Sequence, residues 1–160
     1  MRHVLSVLVE NEPGVLSRVA GLFSGRGFNI DTLNVGPTLE KGVSLMTIST
    51  HGDEQIIEQI IKQLRKLITV IKVVDLSDTK AVEREMVLIK VHASENSRAE
   101  ILRIVDIFRC KVVDVSTDEL TLEVTGDQGK INAMVNMLQR FGIKEFARTG
   151  TVAMKRSMQF

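Results

Sequence analysis

The order in which hydrophobic periodicity changes along the chain restricts its fold more than any other feature. An alternating, strand-like pattern gives way twice to a helical one in the first half, and the same succession returns in the second. His3 to Val9 reads as a strand rich in Val and Leu, which Asn11-Glu12-Pro13-Gly14 breaks with residues suited to a turn and a helix start. Val15, Leu16, Val19, Ala20, Leu22 and Phe23 then recur at helical spacing, and Gly25-Arg26-Gly27 supplies the flexible backbone expected past a helix end. Phe28 to Val35 and Val43 to Thr50 read as strands joined by Gly36-Pro37 through Gly42. After Gly52-Asp53, Ile56, Ile57, Ile60, Ile61, Leu64 and Leu67 mark a second helix, and the β-branched run Thr69 to Leu76 is strand again. The order is βαββαβ.

Residues 77–85, charged and poor in large apolar groups, are expected to be a linker between a domain at 1–76 and a second at 86–160. In the second, Met86 to Val91, Lys111 to Val115, Leu120 to Thr125 and Ile143 to Arg148 read as strands. Ile101, Ile104, Val105 and Phe108 give one helical stripe, and Ile131, Met134, Val135, Leu138 and Phe141 another. Gly126-Asp127 falls where Gly52-Asp53 falls in the first half. The repeat lies in the order of elements rather than in residue identity. The expected class is α+β, with two antiparallel sheets that each carry helices on one face. A unit of about 75 residues keeps so much wet surface that its core is marginal, and self-association into a homodimer is the cheapest way to cover more of it.

Composition removes several classes of function. Lys plus Arg is 21 and Asp plus Glu is 20, so there is no bulk electrostatic pull toward nucleic acid or anionic membrane. The single cysteine, Cys110, forms neither an intrachain disulfide nor a Cys-rich metal site, which fits a reducing, cytoplasmic compartment. The opening MRHVLSVLVENEPG alternates like a strand and is read as mature protein. The longest stretch without a charged residue, 42–52, is far short of the roughly 20 apolar residues that span a bilayer. His3, His51 and His92 are scattered without ligand-like spacing, so no metal is expected, and no glycine-rich phosphate loop follows a strand. With no Trp or Tyr and with Phe mostly on helices, base stacking on a sheet lacks its aromatics. Arg148, Lys155 and Arg156 are expected in a solvated tail, with a docking patch for an acidic partner as the alternative, and Met134, Met137, Met154 and Met158 in core or tail rather than on an adaptable binding surface.

The candidate site is the turn from Asn11 to Ser17. A helix start presents unpaired N–H groups and a positive dipole end, which suits a carboxylate, and Gly14 lets a ligand approach the backbone. Asn11 adds a neutral donor and acceptor able to bridge a carboxylate or an ammonium. An α-amino acid meets those requirements; plain helix capping with a glycine for the tight turn is the competing explanation.

The segment NEPGVLSRVAGLFSGRGFNIDTLNV resembles the opening of the small regulatory subunit of acetolactate synthase (acetohydroxyacid synthase), and THGDEQIIEQIIKQLRKLITVIKV and VEREMVLIKV extend the likeness. The resemblance covers essentially the whole chain and is most specific over residues 4–90. It implies two ferredoxin-like domains, an N-terminal ACT domain and a C-terminal ACT-like one, in a non-catalytic regulatory subunit. Such a subunit binds and activates a large catalytic subunit and confers feedback inhibition by valine or a related branched-chain amino acid. It also implies an effector held between paired ACT domains by Asn11, Gly14, Val15 and Leu16 of one chain and by Asn29 and Ile30 of the other. Asn29 and Ile30 are expected at the beginning of the second strand. Pro13 stands where some relatives carry a small polar residue, which leaves the choice among valine, leucine and isoleucine open. Thiamine diphosphate, Mg and FAD belong, on this resemblance, to the catalytic partner and not to this chain. A different ACT-type amino-acid-sensing regulator is the alternative; a stand-alone enzyme would need His51 or His92 beside a carboxylate in a closed pocket, and a nucleic-acid sensor a basic stripe.

Overall fold

Strand β1 (Arg2–Glu10) is the spine of the first unit, paired antiparallel with β3 (Val43–His51) on one side and β4 (Val70–Asp75) on the other, with β2 (Thr32–Pro37) outside β3. The sheet order is therefore β2-β3-β1-β4, with helices α1 (Val15–Ser24) and α2 (Glu54–Lys66) as the crossovers. Alternation puts Leu5, Val7 and Val9 on one face of β1, beside Met46 and Ile48 of β3 and Val73 of β4. Val15, Val19 and Phe23 of α1 and Ile57, Ile60, Ile61 and Leu64 of α2 close onto that face as one dry core. Asp53 caps α2 by accepting the Gln55 N–H at 2.8 Å.

The computed structural model describes residues 1–77 and 80–157, which divide into two units, Met1–Val82 with the residues from Thr151 onward, and Glu83–Gly150. The second unit repeats the plan. Its sheet runs β6 (Lys111–Val115), β7 (Glu119–Gly126), β5 (Ala81–His92), β8 (Ile143–Arg148), and its helices are α3 (Arg98–Ile107) and α4 (Gln128–Leu138). Val87, Ile89, Val91, Leu120, Leu122 and Val124 from the sheet pack with Ile101, Ile104, Val105, Ile131, Met134 and Leu138 from the helices. Asp127 caps α4 on Lys130 N–H at 2.9 Å, so the two Gly-Asp steps do the same work in both halves.

Three sequence expectations differ from the structure. The linker placed at 77–85 is shorter, because β5 already begins at Ala81; Asp78 and Thr79, also in that stretch, lie outside the described residues. The second strand begins at Thr32 rather than Phe28. Phe28 folds back, its N–H on Phe23 O at 2.9 Å and its ring lying over Gly52, where any Cβ would collide with it. The tail holds a further strand, β9 (Val152–Lys155), which pairs with β5, and Arg156 N–H reaches Lys80 O at 2.9 Å. Of the four methionines, Met134 is core, Met137 and Met154 are exposed, and Met158 lies outside the described residues.

Cys110 is half-buried with its Sγ 3.2 Å from Met134 Sδ, and burial pushes its thiol up from 9.0 to about 11, a nearby Lys130 offsetting only part of that. A rise from 9 to 11 lowers the thiolate fraction at neutral pH by about a hundredfold. Alkylation of Cys110 at pH 8 is expected to be slower in the native chain by at least that factor than in urea-unfolded chain. Because the folded pKa lies above the unfolded one, the thiol also contributes stability that declines as pH rises above about 9. Equal alkylation rates in the two states would contradict both expectations.

Candidate functional site at the first helix start

The turn between β1 and α1 is anchored from below and open above. Glu10 N–H donates to Thr69 O and Asn11 N–H to Gly42 O, both at 2.8 Å, which ties the end of β1 to the beginnings of β4 and β3. The chain then tightens, Glu12 N–H on Glu10 O at 2.9 Å and Val15 N–H on Glu12 O at 3.3 Å. Gly14 sits at φ +87°, a left-handed conformation in which a side chain is strained, while the space over its Cα is empty. A glycine is needed here for the backbone angle, and it leaves the approach to the backbone clear.

Most of the first N–H groups of this helix are left without a partner among the described residues. No side chain caps α1 and no acidic residue stands in its first turn, whereas Asp53 and Asp127 cap α2 and α4. Among the described residues no acceptor meets the N–H of Gly14, Leu16 or Ser17. The corresponding corner of the second unit also lacks a side-chain cap but is built differently. There Arg98 of α3 donates to Ser116 O at 2.6 Å and Thr117 O at 3.1 Å, Ser94 and Ser97 hydroxyls meet at 2.9 Å, and Glu100 occupies the first turn. The two halves share a fold and neither first helix has a side-chain cap, but the start of α1 follows a left-handed glycine and has no acidic residue in its first turn to answer the dipole, whereas α3 has Glu100.

The residues singled out in the sequence fall into two groups. Asn11 and Gly14 are exposed, and Leu16 stands 46% exposed beside them, off the core-facing stripe of α1. Val15 is 3% exposed and packs in the core, so only its backbone borders the turn, and its N–H is already used. Asn29 and Ile30 lie in the loop before β2, not in the strand. Asn29 O accepts the Thr50 hydroxyl at 2.5 Å, Asp31 N–H donates to Ser49 O at 2.8 Å, and Ile30 leans on the core. The first group is thus hydrogen-bonded to Gly42 at one end of β3 and the second to Ser49 and Thr50 at the other. Seven residues of strand separate these ends by roughly 20 Å, too far for one amino acid to touch both within a single chain.

Comparison with known proteins places this arrangement. A family model described as the AHAS small subunit-like ACT domain matches residues 5–72, and one for the small subunit of acetolactate synthase matches 84–157. The chain is 58% identical over 98% of its length to the acetolactate synthase small subunit of Aquifex aeolicus, covering 82% of that protein. It is 53% identical to the probable acetolactate synthase small subunit of Archaeoglobus fulgidus, covering 98% of both. The crystal structure of the Thermotoga maritima acetolactate synthase small subunit superposes with a TM-score of 0.89 at 44% identity, covering 99% of each chain. The chain belongs to the acetolactate synthase small-subunit family. Its two units are ferredoxin-like, ACT-type domains, as the sequence leads one to expect, and the open helix start belongs to the N-terminal ACT domain of this small-subunit fold.

One contact near the site in this ACT domain escaped the sequence. His51 Nδ1 lies 2.5 Å from Asp31 Oδ2, and Asn29 Nδ2 donates to Asp31 Oδ1 at 3.3 Å, so a short polar chain holds the 29–31 loop on the end of β3. Only the β2–β3 register, with Thr32 opposite Ser49, brings Asp31 and His51 together. The pair is open to solvent, the side chains 60% and 36% exposed, rather than in a closed pocket. Among the described residues no three His, Cys, Asp or Glu side chains gather as a metal site would require, and no helix is long and apolar enough to cross a membrane.

Two glycines of the same helix separate angle from space. Gly14→Ala is expected to cost about 1–2 kcal/mol through its positive φ alone. Gly21→Ala, inside α1 with open space around it, is expected to gain about 0.5–1 kcal/mol. Urea unfolding of both variants checks this, and a neutral Gly14→Ala would remove the conformational argument.

Proposed function

We propose that the protein is the regulatory subunit of acetolactate synthase, which binds and activates the catalytic subunit and confers feedback inhibition by valine or a related branched-chain amino acid. The observation that carries the reading is the uncapped start of α1, with three free N–H groups around an exposed Gly14. An amino-acid carboxylate accepts from these amides, Asn11 bridges its polar end, and Leu16 meets its aliphatic side chain. Asn29 and Ile30 complete the pocket from a second copy, because one chain holds the two groups at opposite ends of β3. Edge strand β2 offers the means. Antiparallel pairing of two β2 strands sets the start of one against the end of the other, and so the 29–31 loop of one copy near the Asn11–Gly42 corner of its partner. Val35, 45% exposed, and the exposed Leu39 are apolar surface available to that homodimer.

Regulation requires that the effector favour one of two states of the paired domains, since equal affinity for both shifts nothing. Bridging two chains provides the difference, because the ligand touches both only when they are seated together. The catalytic cofactors, thiamine diphosphate, Mg and FAD, are assigned to the partner, and the setting is a reducing cytoplasm. Chemistry on this chain is not part of the reading.

Calorimetry of the chain with L-valine, repeated with leucine and isoleucine, is expected to give a saturable heat. Ligand at about 100 times its Kd is expected to stabilise the fold by about 2.7 kcal/mol. A folded sample silent at millimolar valine would count heavily against the proposal. Gly14→Asp places a carboxylate where the ligand's own must sit, and a complex with the catalytic subunit carrying it is expected to stay active but lose valine inhibition. Co-purification with the catalytic subunit separates this reading from that of another ACT-type regulator.

Sharing of the pocket is tested by mixing. Homodimers of Gly14→Asp and of Asn29→Asp are each expected to lose valine binding. Random exchange makes about half the dimers mixed, each with one intact pocket, so about a quarter of the wild-type capacity returns. No recovery, with exchange verified by mass spectrometry, would place both groups of residues in separate roles.

A further inference from the structure

The outer surface of α1 and α2 in the N-terminal unit carries a groove that the effector reading does not use. One end, of about 480 Å³, is lined by Gly21, Leu22, Gly25, Arg26, Ile56 and Gln59. The other, of about 350 Å³, shares Arg26 and Gln59 and adds Lys62, Gln63, Arg65 and Lys66. No Asp or Glu lines either part, so four cations converge beside a small apolar floor. Arg65 and Lys66 stand in the last turn of α2, where the helix dipole alone favours them, but that does not account for Lys62 or for Arg26 on the neighbouring loop. Arg26 reaches Gln59 Oε1 at 2.6 Å, and among the described residues none of the four forms an ion pair.

The floor points to a close neighbour of a particular kind. Gly21 lies inside α1, where glycine weakens a helix, yet a Cβ built on it meets nothing within 4 Å, so packing within the chain gives no reason for its small size. A second copy seated groove to groove by two-fold symmetry would set these cations against one another, which argues against a two-fold self-contact through this face. A bare phosphate backbone would match the charge but leave Gly21 and the outward parts of Leu22 and Ile56, which rest on the core beneath, uncovered.

We propose that this groove docks an acidic, partly apolar segment of the catalytic subunit, its backbone or a small side chain lying over Gly21 and Gly25 and its carboxylates among Arg26, Lys62, Arg65 and Lys66. This rests on the reading of the chain as a subunit of acetolactate synthase, and it assigns the ACT domain's helical face a share of the contact. The groove is separate from the Asn11–Leu16 turn, so docking and effector binding are separable by mutation.

The test titrates purified catalytic subunit with wild-type chain, Lys62→Glu/Lys66→Glu and Gly21→Leu, at about 50 and 300 mM salt, with valine calorimetry on the same samples. Gly21→Leu fills the groove in open space and puts a better helix former in α1, so a raised melting temperature is expected. Both variants are expected to bind the catalytic subunit at least about tenfold more weakly while keeping their valine heat, and the salt dependence of wild type is expected to shrink in the double variant. If wild type itself does not bind the catalytic subunit, the subunit reading fails. If wild type binds and either variant binds equally well, the groove proposal is overturned and that reading stands. Retention of a single-stranded RNA oligomer, abolished in the double variant with subunit binding unchanged, would overturn it in favour of a nucleic acid.

Discussion

The in-register antiparallel ladder between β1 and β3 is the constraint on which the rest of the N-terminal unit depends. Arg2 faces His51 and Glu10 faces Val43 without a slip between, so the two strands run full length side by side. That length puts the β1–α1 turn at one end of the sheet and the loop before β2 at the other. A one-residue slip would turn Leu5, Val7 and Val9 out of the core, so the ladder cannot shift to bring the two closer. The separation is therefore a fixed property of the fold, and a pocket that needs both ends draws its second wall from another chain.

The two units build one architecture and differ at the start of their first helix. Both cores are built from the same kinds of residue in the same order, and in both the second helix is capped by an aspartate after glycine. The difference lies at the first helix. Neither first helix has a side-chain cap, but in the N-terminal unit a left-handed glycine leads into a first turn without an acidic residue, whereas in the C-terminal unit Arg98 ties the corner to Ser116 O and Glu100 answers the dipole. Unsatisfied amides are costly when buried but inexpensive at a solvated surface, which is why a helix there can begin without a cap.

Much of the fold was legible because helix and strand place apolar residues at different periods. Lys111–Val115 and Ile143–Arg148 stand where alternation put them, and the stripe from Ile57 to Leu64 is the buried face of α2. The misreadings have local physical causes. Phe28 to Asp31 has the composition of a strand, but the Phe28 ring packs over Gly52 and the Thr50 hydroxyl takes the Asn29 carbonyl, so the backbone bonds there go to a loop. Residues 81–85 look like a charged linker because a strand with polar neighbours need not be apolar. Glu85, buried with Arg148 3.9 Å away, is one of them. Leu16 and Val15 were indistinguishable as members of one apolar stripe; only packing separates the buried one from the exposed one.

The sequence by itself determined the order of the main helices and strands, where Gly14 and the Gly-Asp steps interrupt them, and to which family the chain is similar, because propensity, periodicity and residue identity are local properties. Tertiary structure decided what lies next to what. The pairing of Asp31 with His51, the assembly of three cations of α2 and one from the loop after α1 into one groove, and the distance between Asn11 and Asn29 all follow from strand register and helix packing. Those quantities depend on how distant segments meet, and no window of adjacent residues contains them.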